Sequence, residues 1–253
     1  MPATQERYIQ IENKNALLEL LVSGAPIQKI LIAANAFRDP KTKKIVAEAH
    51  SRGVPIERVA RKRISRVART SNFESIIGFK PAPKEIPLDE ILETGRAKKG
   101  PLFFLVLDHI HYVQNLGALM RTAFGSGVDA VIIPKRKDAY LTEDVTRISM
   151  GASERVPIIQ TNLFDALKKL QDAGVKIIGV HMDGKPYYEA DMSGDVSLVL
   201  GSEDTGISTR ILPRCDMTVK IPMQEGLDSL NVAAAGAVIM FEKIRQDKMG
   251  KRK

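Results

Sequence analysis

The chain has 253 residues, of which 44% are hydrophobic and 27% are charged, and its formal net charge at pH 7 is +8. This length allows two domains with separate cores, and no window approaches the roughly 18 apolar residues that a membrane helix requires. The first ten residues lack the apolar region of a signal peptide and the single cysteine excludes an internal disulfide, so we expect a soluble, cytoplasmic protein.

The positive charge is concentrated in the N-terminal third of the chain. Residues 1–84 hold 16 Lys and Arg against 7 Asp and Glu, a net +9, whereas residues 85–253 hold 22 against 23, a net −1. A basic module joined to a nearly neutral one is typical of an anion-binding unit, and nucleic acid is the commonest large anion. A solvated basic surface without a partner is the alternative interpretation.

Helices and strands alternate in residues 1–84 and predict a compact α/β domain. The pattern gives a helix at 15–23, a strand at 30–33, a helix at 42–52, a strand at 54–59 and an Arg- and Lys-rich helix at 61–69. Residues 81–101 then contain four prolines and a charged, weakly periodic centre. This composition predicts a linker over residues 85–100.

Residues 101–253 have the pattern of a second α/β domain with a parallel sheet. The segment Leu102–Asp108 is apolar until its last residue, as expected for a strand buried on both faces. Similar runs recur at 130–133, 175–180, 196–200 and 217–221, separated by helical patterns at 115–124, 142–149 and 163–173. Such a βαβ series places its functional site at the carboxyl ends of the strands.

The last predicted helix, residues 232–241 (VAAAGAVIMF), is apolar on every side. A helix of this kind is buried all round. Its small residues allow close approach, so it packs either wholly within the core of its own chain or against a second subunit, and the pattern leaves both possibilities open.

Familiar nucleotide and metal motifs are absent from the sequence. The run Gly125-Ser126-Gly127 follows a helix and precedes a strand, the reverse of the dinucleotide fingerprint, so it predicts a helix stop. His109 and His111 have no third ligand nearby. Cys215 has only Arg214 as a basic neighbour, which favours a small apolar filler over a nucleophile. We therefore predict neither a metal site nor a catalytic thiol.

Polar segments follow three of the predicted strands. In residues 108–123 (DHIHYVQNLGALMRTA), Asn115 and Gly117 open a helix on which Arg121 lies about 120° around the axis from Asn115. In residues 198–206 (LVLGSEDTG), Gly201 at the strand end lets a ligand lie against the backbone, and Glu203 follows at the same edge.

The third polar segment is residues 221–232 (IPMQEGLDSLNV), in which Ser229 and Asn231 precede the last helix. Each of the three segments also has a purely structural interpretation as a helix cap. Asn115 would cap its own helix, Glu203 a helix beginning near Ser208, and Asp228 or Ser229 the last helix.

Taken in this order, NLGALMRTA, LVLGSEDTG and IPMQEGLDSLNVAAA resemble the three motifs of the SpoU/TrmH family of RNA ribose 2′-O-methyltransferases, in the SPOUT superfamily. The resemblance covers residues 102–246, and TRISMGASERVPI is similar to the segment between the family's first two motifs. Residues 6–80 resemble the family's N-terminal substrate-binding domain, an RNA-binding α/β fold similar to certain ribosomal proteins.

The resemblance implies a fold, a cofactor and a partner. The fold is α/β, with a smaller RNA-binding domain in residues 1–84, a linker in 85–100, and a parallel-sheet methyltransferase domain with a C-terminal trefoil knot in 101–253. The cofactor is S-adenosylmethionine, bound in the knot without a metal. The family works as a homodimer in which the knotted domains pair, which favours an intermolecular contact for the helix at 232–241.

The resemblance also implies roles for particular residues. Cofactor binding would fall, largely through backbone groups, to Leu200, Gly201, Ile221 and Leu230, with Met223 alongside. Arg121 would lie next to the attacking hydroxyl, Asn115 would orient it, and Glu203, Ser229 and Asn231 would shape the pocket. Because a free guanidinium stays protonated at neutral pH, an electrostatic role for Arg121 is physically easier than a role as base.

The chain departs from the family pattern at several positions. Tyr112-Val113-Gln114 stands where an Asp-Pro pair is common, Asp204 replaces a usual glycine, Ala233 a frequent serine, and residues 71–78 a His-Gln-Gly-type segment. These changes bear on the choice of nucleotide. We expect ribosomal RNA as substrate, with transfer RNA as the nearest alternative and a non-catalytic RNA-binding or ribosome-assembly factor as the second. A small-molecule α/β enzyme would leave the basic N-terminal end unexplained.

Overall fold

A computed structural model describes residues 8–68, 73–81, 86–98, 100–135, 143–226 and 229–250. Two compact units make up the chain, and the boundary between their main segments lies between residues 83 and 84. Among the helices in the described ranges, none combines the length and the apolar character needed to cross a bilayer.

The first unit is built on a sheet whose strands run in the order β1-β4-β2-β3. Strand β2 pairs parallel with β3 and antiparallel with β4, and β1 pairs antiparallel with β4. The described strands are β1 (Tyr8–Ile11), β2 (Lys29–Ala33), β3 (Ile56–Val59) and β4 (Ile76–Pro81), and the helices are α1 (Lys14–Val22), α2 (Pro40–Ser51) and α3 (Arg61–Val67).

The core of the first unit consists of aliphatic side chains from both layers. Leu17 and Leu21 of α1, Ile45 of α2 and Ile64 of α3 are fully buried in the core that also contains Ile30 of the sheet. The predicted α/β pattern is confirmed for this unit, but β1 and β4 were not predicted. The last predicted residue of the basic helix, Arg69, lies outside the described ranges.

The second unit contains a parallel sheet of six strands in the order β10-β8-β9-β5-β6-β7. Every described pair in it is parallel, which confirms the predicted class. The strands are β5 (Phe103–Leu107), β6 (Ala130–Pro134), β7 (Ile158–Thr161), β8 (Lys176–Pro186), β9 (Val196–Leu200) and β10 (Met217–Lys220). The helices are α4 (Leu88–Arg96), α5 (Val113–Gly125), α6 (Glu143–Ile148), α7 (Leu163–Asp172) and α8 (Val232–Gly250).

Strand β5 explains how this sheet separates two cores. Leu105 and Leu107 belong to the core shared with α5 and α8, whereas Phe104 and Val106 belong to the core shared with α4 and α7. Successive strand residues point to opposite faces, so an uninterrupted apolar run is required where both faces are covered. The sheet is therefore the middle layer of three.

Helix α4 occupies most of the segment predicted to be a linker. Its Leu88, Ile91 and Leu92 are buried in the core that contains Leu102 and Phe104. Because residues spaced by three and four lie on one helix face, these three side chains form an apolar stripe that holds the helix on the second unit. The linker prediction for residues 85–100 is corrected over this range.

Helix α8 is buried on one face only. Gly236, Ile239 and Met240 are buried, whereas Val238 is 38% and Phe241 52% exposed. The expectation of burial all round is therefore wrong within a single chain, and so is the interpretation of α8 as a helix packed wholly in its own core. The apolar side chains of Val238 and Phe241 form an exposed face of the helix.

Candidate active site

The three polar segments lie at the carboxyl edge of the parallel sheet. They begin at Asp108 after β5, at Gly201 after β9 and at Ile221 after β10. Strand β9 is next to β5, and only β8 separates it from β10. Since neighbouring strands are about 5 Å apart, the three strand ends fall within roughly 15 Å along one edge. The backbone N–H of Asp108 donates to the Leu200 carbonyl at 2.8 Å, which joins the first two segments directly.

Asn231 connects all three segments through its side-chain amide. Its Oδ1 accepts from the backbone N–H of Ala233 at 3.0 Å and of Ala234 at 3.4 Å, so it caps α8. With the oxygen held in this way, Nδ2 faces the other direction and donates to Asn115 Oδ1 at 2.9 Å and to Glu203 Oε1 at 2.5 Å. The orientation of the Asn231 amide is thus fixed by the helix that follows it.

The capping roles considered for the three segments are corrected. Helix α5 begins at Val113, so Asn115 lies in its first turn rather than at its cap, and its side chain is 9% exposed. Glu203 contacts Asn231 instead of capping a helix near Ser208. Asn231 is the residue that caps α8, Ser229 makes no such bond, and Asp228 lies outside the described ranges.

Two of the site candidates do not join this amide network. Arg121 lies on the exposed side of α5, as its angular separation from Asn115 predicts, and Ser229 is exposed just before α8. Neither side chain makes a hydrogen bond or an ion pair with another residue in the described part of the chain. The network therefore contains Asn115, Glu203 and Asn231 only.

Glycine is required at the turn after β9. A Cβ added at Gly201 would lie 2.0 Å from the Gly206 carbonyl carbon and 2.1 Å from the Ile207 nitrogen, both of them backbone atoms. Backbone hydrogen bonds between Ser202 and Gly206, at 3.0 and 2.9 Å, close this turn. Only a residue without a side chain lets the chain fold back so closely, and this brings Glu203 toward Asn231.

Backbone groups are available where the resemblance implies cofactor binding. Ile221, Met223 and Leu230 are partly buried, and their N–H groups donate no hydrogen bond to another residue that the structure describes. Leu200 is 1% exposed, and its side chain belongs to the core against α5 and α8. These three N–H groups are free to bind polar atoms of a ligand.

A shallow groove, open to solvent, lies against the amide network. Its wall includes His109, His111 and Tyr112 from the segment after β5, together with Asn115, Glu203 and Asp204. The sequence pattern of His109 and His111 was interpreted only in terms of metal binding, and their position in the groove was not predicted. The polar types at 108–112, directly after a buried strand, are the signal that could have indicated them. Within the described ranges no three His, Cys, Asp or Glu side chains are placed to share a metal ion.

Cys215 does not belong to the groove. Burial raises the pKa of its thiol to about 12, and the nearby carboxylates of Asp216 and Asp108 act in the same direction. A thiol in this environment stays protonated at neutral pH and is a poor nucleophile.

Two family models match the chain. The model of the SpoU rRNA Methylase family matches residues 102–241, and the model described as RNA 2'-O ribose methyltransferase substrate binding matches residues 11–78. The matched ranges correspond to the two compact units described above.

Whole-length relatives carry related descriptions. A protein of Staphylococcus aureus (strain COL), assigned to the TrmH family of tRNA/rRNA methyltransferases, is 33% identical over 240 residues, covering 93% of this chain and 95% of its own. A protein of Bacillus subtilis (strain 168) with the same assignment, YacO, is 29% identical and is covered over 97% of its length, with 95% of this chain matched.

Solved structures have the same fold. The AviRb methyltransferase of Streptomyces viridochromogenes in complex with AdoMet matches with a TM-score of 0.67 at 20% identity, over 94% of this chain and 90% of its own. An AdoMet-bound rRNA methyltransferase of Sinorhizobium meliloti matches with a TM-score of 0.65 at 24% identity, over 94% and 87% of the two chains.

Proposed function

The chain belongs to the SpoU rRNA methylase family, and from this premise we propose that it transfers a methyl group from S-adenosylmethionine to a ribose 2′-hydroxyl of ribosomal RNA. The observation that carries the proposal is the contact of Asn231 with both Asn115 and Glu203. These residues come from the three motif segments, which are far apart in the sequence, and a network of this kind is expected of one pocket that all three build.

The cofactor assignment has two supports. Two solved structures of the same fold, named above, contain AdoMet. In this chain the N–H groups of Ile221, Met223 and Leu230, which donate to no other residue of the described ranges, fit a ligand that is bound through backbone contacts. When bound, S-adenosylmethionine supplies a methyl group on a positively charged sulfur that is already activated for transfer.

The residues of this chain have to orient the ribose hydroxyl and let its proton leave. A ribose hydroxyl is a weak nucleophile at neutral pH, so alignment and proton removal account for most of the catalysis. The Asn115 Oδ1 is occupied by Asn231, and its Nδ2 has no acceptor among the described residues. This Nδ2 is the group that we assign to the substrate oxygen, while Glu203 fixes Asn231 in position.

The first unit supports RNA as the substrate. Residues 1–84 carry the net charge of +9, and Arg61, Lys62, Arg63 and Arg66 of α3 are all exposed while Ile64 anchors that helix in the core. Exposed cations on one element attract phosphate groups without reading the sequence of the RNA. The match of residues 11–78 to a substrate-binding model of RNA 2'-O ribose methyltransferases supports the same role and the 2′-hydroxyl as target.

We also propose the trefoil knot that the family resemblance implies. Strand β10 lies at one edge of the sheet, yet the chain after it returns so that Asn231 contacts Glu203 beyond β9 and Asn115 of α5. This return path past the turn at 202–206 is consistent with threading of α8. An experimental structure traced through residues 196–250 tests it, and an unthreaded path would overturn it.

A homodimer would cover the exposed apolar surface of the second unit. Val238 and Phe241 of α8 are exposed, and so are Phe124 and Arg121 on α5, the helix against which α8 packs. Exposed large apolar side chains on adjacent helices are typical of an isologous interface. Arg121 would then act on the ribose or its phosphate in the site of the partner protomer.

Subunit complementation tests both the dimer and Arg121. Arg121→Ala and Asn231→Ala should each be inactive, but mixed, refolded or co-expressed subunits would form heterodimers with one intact site. If Arg121 acts across the interface, the mixture regains about a quarter of wild-type activity. If a mixture that contains heterodimers regains no activity, this role of Arg121 is contradicted. If the wild-type protein, with Phe241 intact, sediments as a monomer in analytical ultracentrifugation, the dimer is contradicted.

The experiment for the proposed function uses RNA from cells with and without the gene. Ribose-methylation mapping of total RNA identifies the modification lost on deletion, and the purified protein with methyl-labelled S-adenosylmethionine should restore it. The expected product is a 2′-O-methylnucleoside in ribosomal RNA. A lost site in transfer RNA would change the substrate class, and a base methylation or the absence of any change would overturn the proposal.

A further inference from the structure

A buried carboxylate holds a histidine at the edge of the groove. Asp108, the residue that follows β5, is 1% exposed, and its Oδ2 accepts the backbone N–H of Ser208 at 2.8 Å. Its Oδ1 lies 2.6 Å from His109 Nδ1. The side chain of His109 is 47% exposed, and it shares the groove with Asn115 and Glu203.

The contact with Asp108 decides which nitrogen of His109 is free. An ionised carboxylate can only accept, so the proton of a neutral imidazole is on Nδ1, and Nε2 presents a lone pair. An imidazole held through one nitrogen by a buried carboxylate, with the other nitrogen accessible, has the arrangement of a general base and its orienting group.

The backbone of His109 is held in an unfavourable conformation. Its φ is +61°, and within the described residues Met150 is the one other non-glycine residue with a positive φ. Glycine adopts this region without strain, whereas a side chain with a Cβ does not. Strained residues persist where the surrounding structure fixes them, and they cluster at functional sites. A histidine here is difficult to explain by stability.

We propose that His109 is a catalytic residue that takes the proton of the ribose 2′-hydroxyl, with Asp108 as its positioning residue; this inference rests on the proposed function. As Nε2 takes the proton, the oxygen lone pair forms a bond to the methyl carbon. The carbon–sulfur bond breaks, its electron pair stays on the sulfur, and the products are the methyl ether and the neutral thioether. The imidazolium then releases its proton to water.

Other ionisable groups line the same groove as His109. The His111 ring centroid is 6.2 Å from that of His109, and Tyr112, Glu203 and Asp204 also line the groove. The carboxylates of Asp108, Glu203 and Asp204 attract the cationic ring that forms in the step, whereas a charged His111 would oppose it. These are the ionisable groups that any pH profile of the reaction would include.

The test replaces His109 by glycine, which suits its backbone. His109→Gly should lower the single-turnover methylation rate by about 10² to 10³-fold. Binding of S-adenosylmethionine in calorimetry should not change, and the thermal unfolding midpoint should not fall, because the strain at φ +61° is relieved. Added imidazole should restore part of the lost rate by occupying the space of the missing ring.

Met150→Gly is the matched control. It relieves the strain at φ +53° on a side chain that is 73% exposed, without removing an imidazole, so turnover should stay at the wild-type value. Asp108→Asn keeps the shape but removes the charge. The fall of turnover on the acid side of the pH profile should then begin at a lower pH than in the wild-type protein. Loss of a purely structural carboxylate would not cause this change.

The outcomes separate this inference from the proposed function. An active wild-type enzyme with an equally active His109→Gly variant overturns the role of His109 and leaves the methyltransferase proposal standing. A slow His109→Gly variant that imidazole does not rescue, and that has lost cofactor binding, also overturns it in favour of a structural role. A wild-type protein that methylates no RNA removes the proposed function and this inference together.

Discussion

Asn231 has two tasks that substitution can separate. Its Oδ1 caps α8 through the N–H groups of Ala233 and Ala234, and its Nδ2 binds Asn115 and Glu203. Asn231→Asp keeps an oxygen at the cap and removes the donor, whereas Asn231→Ala removes both. We predict that both variants lose turnover by about 100-fold, because small displacements of an orienting group have effects of this size.

The two variants should differ in the stability of the helix terminus. Loss of an Asn cap costs about 1 kcal/mol. The two lost Nδ2 hydrogen bonds cost about 0.5–1 kcal/mol each, the lower value for the exposed Glu203. In Asn231→Asp the repulsion from Glu203 adds about 1 kcal/mol, while the helix dipole returns about 0.5 kcal/mol. Asn231→Ala therefore loses about 2.5 kcal/mol in total and Asn231→Asp about 2 kcal/mol.

Hydrogen exchange distinguishes the two causes. A cap worth about 1 kcal/mol corresponds to about fivefold faster exchange of the Ala233 and Ala234 amides in Asn231→Ala, and Asn231→Asp should retain the wild-type protection there. Turnover would be measured on the RNA substrate in parallel. If Asn231→Asp matches the wild-type protein in turnover, the amide network does not organise the site.

Three further predictions concern single positions. Gly201→Ala should lower the free energy of unfolding in urea by more than about 3 kcal/mol, because the added Cβ would overlap backbone atoms 2.0 Å away. Gly206→Ala, with nothing within 4 Å of the added carbon, should lower it by about 1 kcal/mol, and equal effects of the two substitutions would contradict this. Cys215, whose thiol pKa is raised to about 12, should react with iodoacetamide at pH 8 at least about 100-fold more slowly in the folded than in the unfolded protein, as followed by mass spectrometry. The hydroxyl and backbone N–H of Ser193 lower the pKa of Asp191 from 3.8 to about 2. The stabilising effect of the Asp191 carboxylate is therefore complete above about pH 5 and disappears as the pH falls toward about 2. The difference in unfolding free energy between the wild-type protein and Asp191→Ala should vanish over that range, and a constant difference would refute this role of Asp191.

The class of the second unit could be predicted because its strands are buried on both faces. The runs at β5 and β9 have no polar interruption apart from Ser197, and such runs are typical of parallel strands under helices. Strand β7 was missed because it is a short edge strand, Ile158–Thr161, directly after a proline. Strands β1 and β4 were missed because their pairing joins residues far apart in the sequence, which no local pattern records.

Helix α4 was not predicted because of the residues that flank it, although its own residues have a helical pattern. Leu88, Ile91 and Leu92 have helical spacing, but prolines on both sides favoured a linker. The deciding fact is tertiary, since these side chains bury against Leu102 and Phe104 of the next element. Propensity alone gives no weight to such a contact.

The candidate site was predictable as three segments but not as a network. The position of each segment after a strand placed them at one edge, and the angle between Asn115 and Arg121 already separated these two side chains. The contact of Asn231 with Asn115 and Glu203 depends on where α8 begins, and the sequence indicated Asp228 or Ser229 as the cap of that helix rather than Asn231. The contact of Asp108 with His109 occurs with a positive φ at His109. A histidine in the sequence does not indicate this backbone conformation.

Contacts along helix α8 hold the Asn231 side chain in position within the second unit. Its far end is fixed by polar contacts, since the buried Lys243 donates to the Gly194 carbonyl at 2.7 Å and pairs with Asp247, while Gln246 donates to the Ala190 carbonyl at 2.9 Å. Burial lowers the pKa of Lys243, and the hydrogen bond to Asp247 acts in the opposite direction. The middle of α8 is buried through Ile239 and Met240, and the Asn231 side chain at its N-terminus contacts both other segments, so the packing of the helix supports the position of this amide. The apolar pattern in the sequence predicted burial of this helix. The polar contacts at its two ends are what fix its position relative to the site.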